Sequence, residues 1–395
     1  MLEGRTAQAL ELMTHFADRT GLTAPRAPRR YLWTDAFAVC NFLGLEHTTG
    51  ERRHRELALR LIDQVHHTLG RYRVGDVRTG WLSGLGEQEG EAHPTRGGLR
   101  IGKPLPERGP DDPTDDRLEW DRDGQYFHYL TKWMHALDQA ARATLQPIFN
   151  EWARELANTA ERAFTYVPQS GAGKRMYWKM SVDLSRPLVS SMGQHDPLDG
   201  FVTYSRLEAT ARAMEAAVPG LDLGAAAAEF ACMIEPGTLA TADPLGLGEL
   251  LVDALRLEQL IERGIVVKGE ELLGALLEAA RVGLRGFLEG PDLRAPAHRR
   301  LAFRELGLAI GLAALGFIGR SVSQARDPFV HGSDIDTRIA HLVRYVPVRE
   351  EIESFWLQDK HRHTDTWLEH EDINDVMLAT TLVPDGFLVI AQRRP

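Results

Sequence analysis

Apolar residues recur at helical spacing along nearly the whole chain. Residues 7–19 place Leu10, Leu12, Met13 and Phe16 near one face, 35–45 are apolar almost all round, and 56–69 carry Leu57, Leu59, Leu61, Ile62 and Val65. The same period predicts helices over 126–144, 148–164, 200–217, 223–234, 246–263, 270–288, 303–318, 335–346 and 373–380. Strand-like alternation is confined to 176–182 and 386–392.

The helices come in pairs. The first of each pair is unusually apolar or aromatic, and the second is amphipathic. A helix that is apolar all round must be surrounded by protein, whereas an amphipathic one serves as an outer layer. The segments before the first helices share Gly, Pro, Asp and aromatic residues: Arg30-Tyr-Leu-Trp-Thr-Asp35, Glu119-Trp-Asp-Arg-Asp-Gly-Gln-Tyr126, Gly193-Gln-His-Asp-Pro-Leu-Asp-Gly200 and Ala242-Asp-Pro-Leu-Gly-Leu-Gly248. This is an internal repeat of helical hairpins with a period of roughly 45–70 residues. Five such hairpins, with the N-terminal helix and the C-terminal segment closing a sixth, predict an all-α ring of inner helices inside outer ones, one domain over 1–395. Residues 70–117 are the one long irregular stretch. They are rich in glycine yet carry Trp81, Leu82, Leu85, Leu99 and Ile101, so an ordered loop over one mouth of the ring is expected, with a short hairpin near 97–105.

This arrangement resembles the six-hairpin (α/α)6 toroids, which include many glycoside hydrolases and the N-acylglucosamine 2-epimerase and aldose isomerase families. Gly97-Gly98-Leu99-Arg100-Ile101-Gly102-Lys103, followed by the helix beginning near Gln125, is similar to the Gly-Gly loop and aromatic helix that open the epimerase barrel. For that family the resemblance implies two histidines across the pocket, with His195 and His370 in those roles.

Composition narrows the chemistry. The chain has 395 residues, 46 Lys+Arg against 56 Asp+Glu, a net charge of −10 and two cysteines, Cys40 and Cys232. A disulfide scaffold and a Cys-built zinc site are excluded. An acidic chain lacks the basic footprint of a nucleic-acid binder. The longest apolar run, 306–318 between Glu305 and Arg320, falls short of a membrane span. No signal peptide is apparent, so a cytoplasmic protein acting on a small carbohydrate is expected, with neither nucleic acid nor membrane as partner.

Sugar pockets need aromatic walls and polar groups for hydroxyls. Trp33, Asp35, Trp120, Tyr126, His128, Trp178 and Trp367 are the candidates for substrate binding. Hydrolysis of a glycosidic bond needs a protonated acid and a carboxylate. Asp121 and Asp199 are the preferred pair, each shortly before a glycine and an aromatic-bearing inner helix. The competing role of such residues is helix capping, which also applies to Asp35, Glu119, Asp196, Asp243, Glu305 and Asp372. An epimerase or isomerase instead removes a proton next to a carbonyl and needs a base with a pKa near neutrality. His195, beside Asp196 and Asp199, and His370, in Glu-His-Glu-Asp, are the catalytic candidates for that reading.

The leading expectation is a glycoside hydrolase with paired carboxylates. The alternatives are a cofactor-independent sugar 2-epimerase or aldose–ketose isomerase, a terpene-cyclizing toroid, and a non-catalytic helical binding module. No cofactor is expected. His361-Arg-His363 and 195–199 hold metal-ligand types without a metal-binding pattern, so no metal is expected. A loop set of Arg96, Arg100, Lys103, Lys174, Arg175 and Lys179 is a candidate for binding a carboxylate or phosphate on the sugar.

Overall fold

Proline, glycine and aspartate set many of the helix boundaries. The computed structural model describes residues 2–389 apart from 114, 172, 217, 219 and 325–332. Its helices of ten residues or more are α1 (Leu2–Arg19), α2 (Leu32–Thr49), α3 (Arg52–Leu69), α4 (Phe127–Thr144), α5 (Pro147–Phe164), α6 (Asp196–Ala213) and α7 (Gly224–Met233). They continue with α8 (Pro244–Glu262), α9 (Glu270–Glu289), α10 (Ala302–Gln324), α11 (Ser333–Val343), α12 (Pro347–Trp356) and α13 (Glu371–Leu382). Helix accounts for 64% of the chain and strand for 4%, so the all-α class is established. Prolines stand in the first turn of α5, α6, α8 and α12, where a missing N–H leaves no bond unmade. Asp243 caps α8 by accepting from the Leu245 and Gly246 N–H groups at 3.1 and 3.0 Å.

The differences from the sequence expectation are local. Helix α12 forms where no helix is expected. The strand expected over 176–182 is two short pieces. β1 (Gln125–Tyr126), β4 (Lys179–Met180) and β5 (Pro187–Val189) form one antiparallel sheet in the order β1-β4-β5, and β2 (Thr165–Tyr166) pairs with β3 (Arg175–Met176). The strand expected over 386–392 is a helical turn at Asp385–Leu388, and 390–392 lie outside the described residues.

Contacts divide the chain into two compact units. One is Ala17–Met233; the other joins Met1–Phe16 to Ile234–Val389. In the Ala17–Met233 unit, α2 packs on α3 and α4, α4 on α5 and α6, and α6 on α7. Every residue of α2 from Leu32 to Glu46 is buried, as is every residue of α4 from Leu130 to Ala141. Helix α3 buries only a stripe that includes Ala58, Leu61, Ile62, Val65 and Leu69. Within this unit α2 and α4 are therefore buried around most of their length, while α3 presents one buried stripe.

Part of the long irregular segment is packed into the same unit. Trp81, Leu82, Leu99 and Ile101 are buried. The hairpin expected near 97–105 does not form: Leu105 instead bridges to Arg122 in parallel fashion. What holds the segment is polar. Gly98 has φ +76°, and a Cβ there would lie 2.0 Å from Gln125 Oε1. That oxygen accepts from Leu99 N at 2.8 Å, while the Gln125 amide donates to Gly97 O at 3.1 Å and Val182 O at 2.7 Å. Arg100 pairs with buried Asp123 and donates to Thr68 O at 2.7 Å and Arg71 O at 2.8 Å. Asp123 also accepts from Gly102 N at 3.0 Å. Ile101 receives Leu32 N at 3.0 Å and gives its own N–H to Gly124 O at 2.9 Å. The strap 97–102 thus ties the end of α3, the start of α2 and the approach to β1.

In the other unit, α10 packs on α8, α11, α12 and α13, and α8 on α9. Gly248, Gly307 and Gly311 let α8 and α10 meet backbone to backbone: a Cβ on Gly248 would lie 2.1 Å from Gly307 O, and one on Gly311 2.6 Å from Gly248 Cα. Helix α10 runs six residues past the expected end at 318. Its Ala302–Arg320 stretch is long and apolar enough to cross a membrane, and 72% of the apolar window is buried inside the protein.

Two predictions follow from buried charge. Asp123→Ala leaves the Arg100 guanidinium buried without its carboxylate and should cost about 3–5 kcal/mol in urea unfolding. His66 in α3 is buried and accepts from Trp133 Nε1 at 3.2 Å. Burial, and secondarily the neighbouring His67, lowers its pKa to about 3. The unfolded chain takes up a proton below its ordinary value of 6.5 and the folded chain does not. Stability should therefore fall as pH drops below that value, by about 2 kcal/mol from this group at pH 5. Unfolding curves of His66→Gln across the same range should lack that slope.

Candidate functional site

The starts of α2 and α6 both meet the start of α4 in the Ala17–Met233 unit, because α4 packs on each of the other two helices. Each start carries aromatic or ionisable side chains. The α2 start supplies Tyr31, Trp33 and Asp35. β1 and the first turn of α4 supply Tyr126, His128 and Tyr129. The α6 start supplies His195, Asp196 and Asp199. Pairing of β1 with β4, which sets Tyr126 opposite Lys179, brings Trp178 alongside.

The rings form a continuous cluster. Trp120 meets Trp178 edge-on at 5.3 Å between centroids, and Trp178 meets Tyr126 at 5.5 Å. His128 lies 5.3 Å from Tyr126, stacks parallel to Trp178 at 6.1 Å, and meets Tyr129 at 4.9 Å and Trp33 at 6.1 Å. Tyr129 shares a 2.6 Å hydroxyl–hydroxyl bond with Tyr31. Exposure is graded along the cluster: Trp33 and Tyr126 are buried, His128, Tyr129 and Trp178 half-buried, and Trp120 is 54% exposed. Burial, reinforced by the nearby Tyr31 phenol, raises the pKa of both Tyr126 and Tyr129, so both stay protonated.

Three ion pairs lie under or beside the rings. Arg30 Nη1 donates to Asp35 Oδ1 at 3.1 Å, and Tyr31 N donates to Asp35 Oδ2 at 2.9 Å. Lys132 Nζ donates to Asp199 Oδ2 at 2.9 Å, with Thr131 bonded to the same oxygen and Thr203 Oγ1 3.3 Å from Oδ1. Lys179 Nζ donates to Glu119 Oε1 at 2.8 Å and to the Glu119 and Arg122 carbonyls. Burial lowers the Lys179 pKa, with Glu119 opposing it. At the half-exposed position, His128 Nδ1 lies 3.9 Å from Asp196 Oδ1, with Asp196 itself buried.

The residues expected to act divide accordingly. Trp33, Trp120, Tyr126, His128 and Trp178 come together. Asp35 and Asp199 are wholly buried, and each is held in a pair with a buried cation. Asp121 lies exposed in the turn after Trp120, and His195 is the N-cap residue of α6. Trp367 and His370 belong to the other unit. Trp367 is in its core, 5.5 Å from Trp356, and His370 is an exposed residue at the start of α13, 5.3 Å from Phe303. Of the expected basic set, Arg100 and Lys179 are buried in structural pairs, Arg96 pairs with Glu155, and Lys174 with Glu229. Lys103 lies over the Tyr31 ring at 5.3 Å. Sequence reasoning missed Tyr129 and Lys132. Their signal was the run of polar and aromatic residues in an otherwise apolar inner helix.

No protein-family model matches the chain, and no curated protein matches it in sequence.

Asp199→Ala should strand the buried Lys132 ammonium and cost about 3–5 kcal/mol. Adding Lys132→Met should recover much of that loss, and a double-mutant cycle by urea unfolding reads the coupling directly.

Proposed function

We propose that the protein is a carbohydrate-active enzyme that moves a proton on a free sugar, as an aldose–ketose isomerase or 2-epimerase. His128 acts as the acid–base group and Asp196 orients it. The observation that carries this reading is the half-exposed imidazole of His128, walled by Trp33, Tyr126, Tyr129 and Trp178, with a buried carboxylate 3.9 Å from Nδ1. Aromatic faces suit the apolar face of a pyranose, and an imidazole titrates near neutrality. In this reaction the base takes the C2 proton next to the open-chain carbonyl. The resulting enediolate gives the ketose when the proton returns to C1 and the O2 proton passes to O1, or the epimer when the proton returns to the other face of C2. His195, next to Asp196 in sequence, supplies a second imidazole at the same helix start. Engagement of Asp199 by Lys132 weighs against hydrolysis by the Asp121–Asp199 pair.

The (α/α)6 toroid is part of the proposal. Its support is the presence of three largely buried helices in each unit: α2, α4 and α6 in one, and α8, α10 and α13 in the other.

The test is NMR of the purified protein with free aldoses and oligosaccharides in D2O. Deuterium entering C2 of a free sugar is expected. His128→Asn should lower that exchange by about 100-fold or more, the usual weight of general acid–base catalysis. Monosaccharide release without deuterium uptake would replace this reading with the hydrolase. Exchange unaffected by His128→Asn would remove His128 from it.

A further inference from the structure

A second constellation lies elsewhere in the Ala17–Met233 unit. Glu151 and Glu155 stand one helical turn apart on the outer helix α5, and His93 comes from the chain just after the short helix Glu87–Ala92. One donor atom from each lies within 4.8 Å of the other two. We propose that His93, Glu151 and Glu155 bind a divalent transition ion of the Zn2+ type, which clasps the segment around His93 onto α5.

Four features support the assignment. First, the segment is already fastened to the helix around the three residues. Trp152 Nε1 donates to Ala92 O at 2.9 Å, Thr95 Oγ1 to Trp152 O at 2.7 Å, and Thr159 Oγ1 to Arg96 O at 3.0 Å. The donors therefore need little ordering to receive an ion.

Second, Glu155 is buried and its Oε2 has no hydrogen-bond partner among the described residues. A buried carboxylate oxygen left without a donor is costly, and a cation relieves that cost. Third, the other oxygen, Oε1, is fixed by Arg96 Nε at 2.9 Å and lies 2.7 Å from His93 Nδ1. A hydrogen bond of that kind orients a ligating carboxylate from outside the metal's own ligand set. In tetrahedral geometry, bonds of about 2.0–2.2 Å to nitrogen and oxygen put two ligands of one ion about 3.3–3.6 Å apart, so side-chain rotation of about an ångström closes the set. Fourth, one imidazole with two carboxylates suits Zn2+ better than Mg2+, which takes oxygen ligands and keeps its waters.

The probe is zinc chloride titrated calorimetrically into the full chain after chelator treatment and dialysis, with magnesium chloride as comparison. One equivalent of Zn2+ is expected to bind and raise the melting temperature, with no such effect from Mg2+. Both His93→Ala and Glu151→Gln should weaken Zn2+ binding at least 10-fold. Glu151 is half-buried on the outer helix, so its amide variant keeps the fold, which an unchanged melting temperature without zinc verifies. Absence of one-to-one Zn2+ binding would overturn the proposal. So would binding that survives both substitutions unchanged, because the zinc would then reside on other histidines.

Discussion

The Arg100–Asp123 pair is the contact on which the Ala17–Met233 unit turns. Neither side chain has much access to water, so their charges are worth having inside only because each satisfies several backbone groups at once. Arg100 holds the carbonyls that follow α3, and Asp123 holds the N–H of Gly102. Between them Ile101 bonds to Leu32 at the start of α2 and to Gly124 just before β1. Glycine is required beside this pair. A side chain at Gly98 would displace Gln125, and a Cβ on Gly102 would lie 2.2 Å from Arg30 O. One irregular strap therefore fixes the relative position of two inner-helix starts.

That constraint explains how so many charges are tolerated beneath the aromatic cluster. Helix starts bring orphan N–H groups and the positive end of the dipole, which favour a carboxylate. Asp35 and Asp199 sit there, and each is further matched by a buried cation, Arg30 or Lys132. Lys179 and Glu119 repeat the arrangement at the β4 edge. With these charges matched in pairs, the layer is nearly neutral. His128 and Asp196 stand at wider separation and with more exposure, 19% for the His128 side chain.

The all-α class and most helix positions were legible in the sequence because apolar spacing reports burial directly. Helix α2 announces itself by being apolar almost all round, whereas α4 carries His128, Lys132, His135, Asp138 and Gln139 and is buried all the same. The aromatic members of the site were legible too, since Trp33, Trp120, Tyr126, His128 and Trp178 all precede or begin such helices or flank a short strand. Their roles were not. Asp199 and Asp196 sit three residues apart in one segment, and only the position of Lys132 on α4 shows that Lys132 pairs with Asp199. Trp367, like Trp33, stands within two residues of an acid near a helix start, yet it packs against Trp356 in a core. The His93, Glu151 and Glu155 set spans a loop and a helix about sixty residues apart, a separation no local pattern reports.

Aromatic residues at helix starts fill cores as readily as they line pockets, so the distinction rests on how the cluster meets solvent. A core cluster is closed on all sides, as Trp356 and Trp367 are. The cluster around His128 is not. It runs from buried Trp33 and Tyr126, through half-buried His128, Tyr129 and Trp178, to exposed Trp120. An exposed tryptophan edge-on to a second one forfeits the hydrophobic gain of burying both. Only the inner end of this row contributes fully to stability, and its outer rings are left free to meet an apolar face from solution. The imidazole of His128 lies between those two ends.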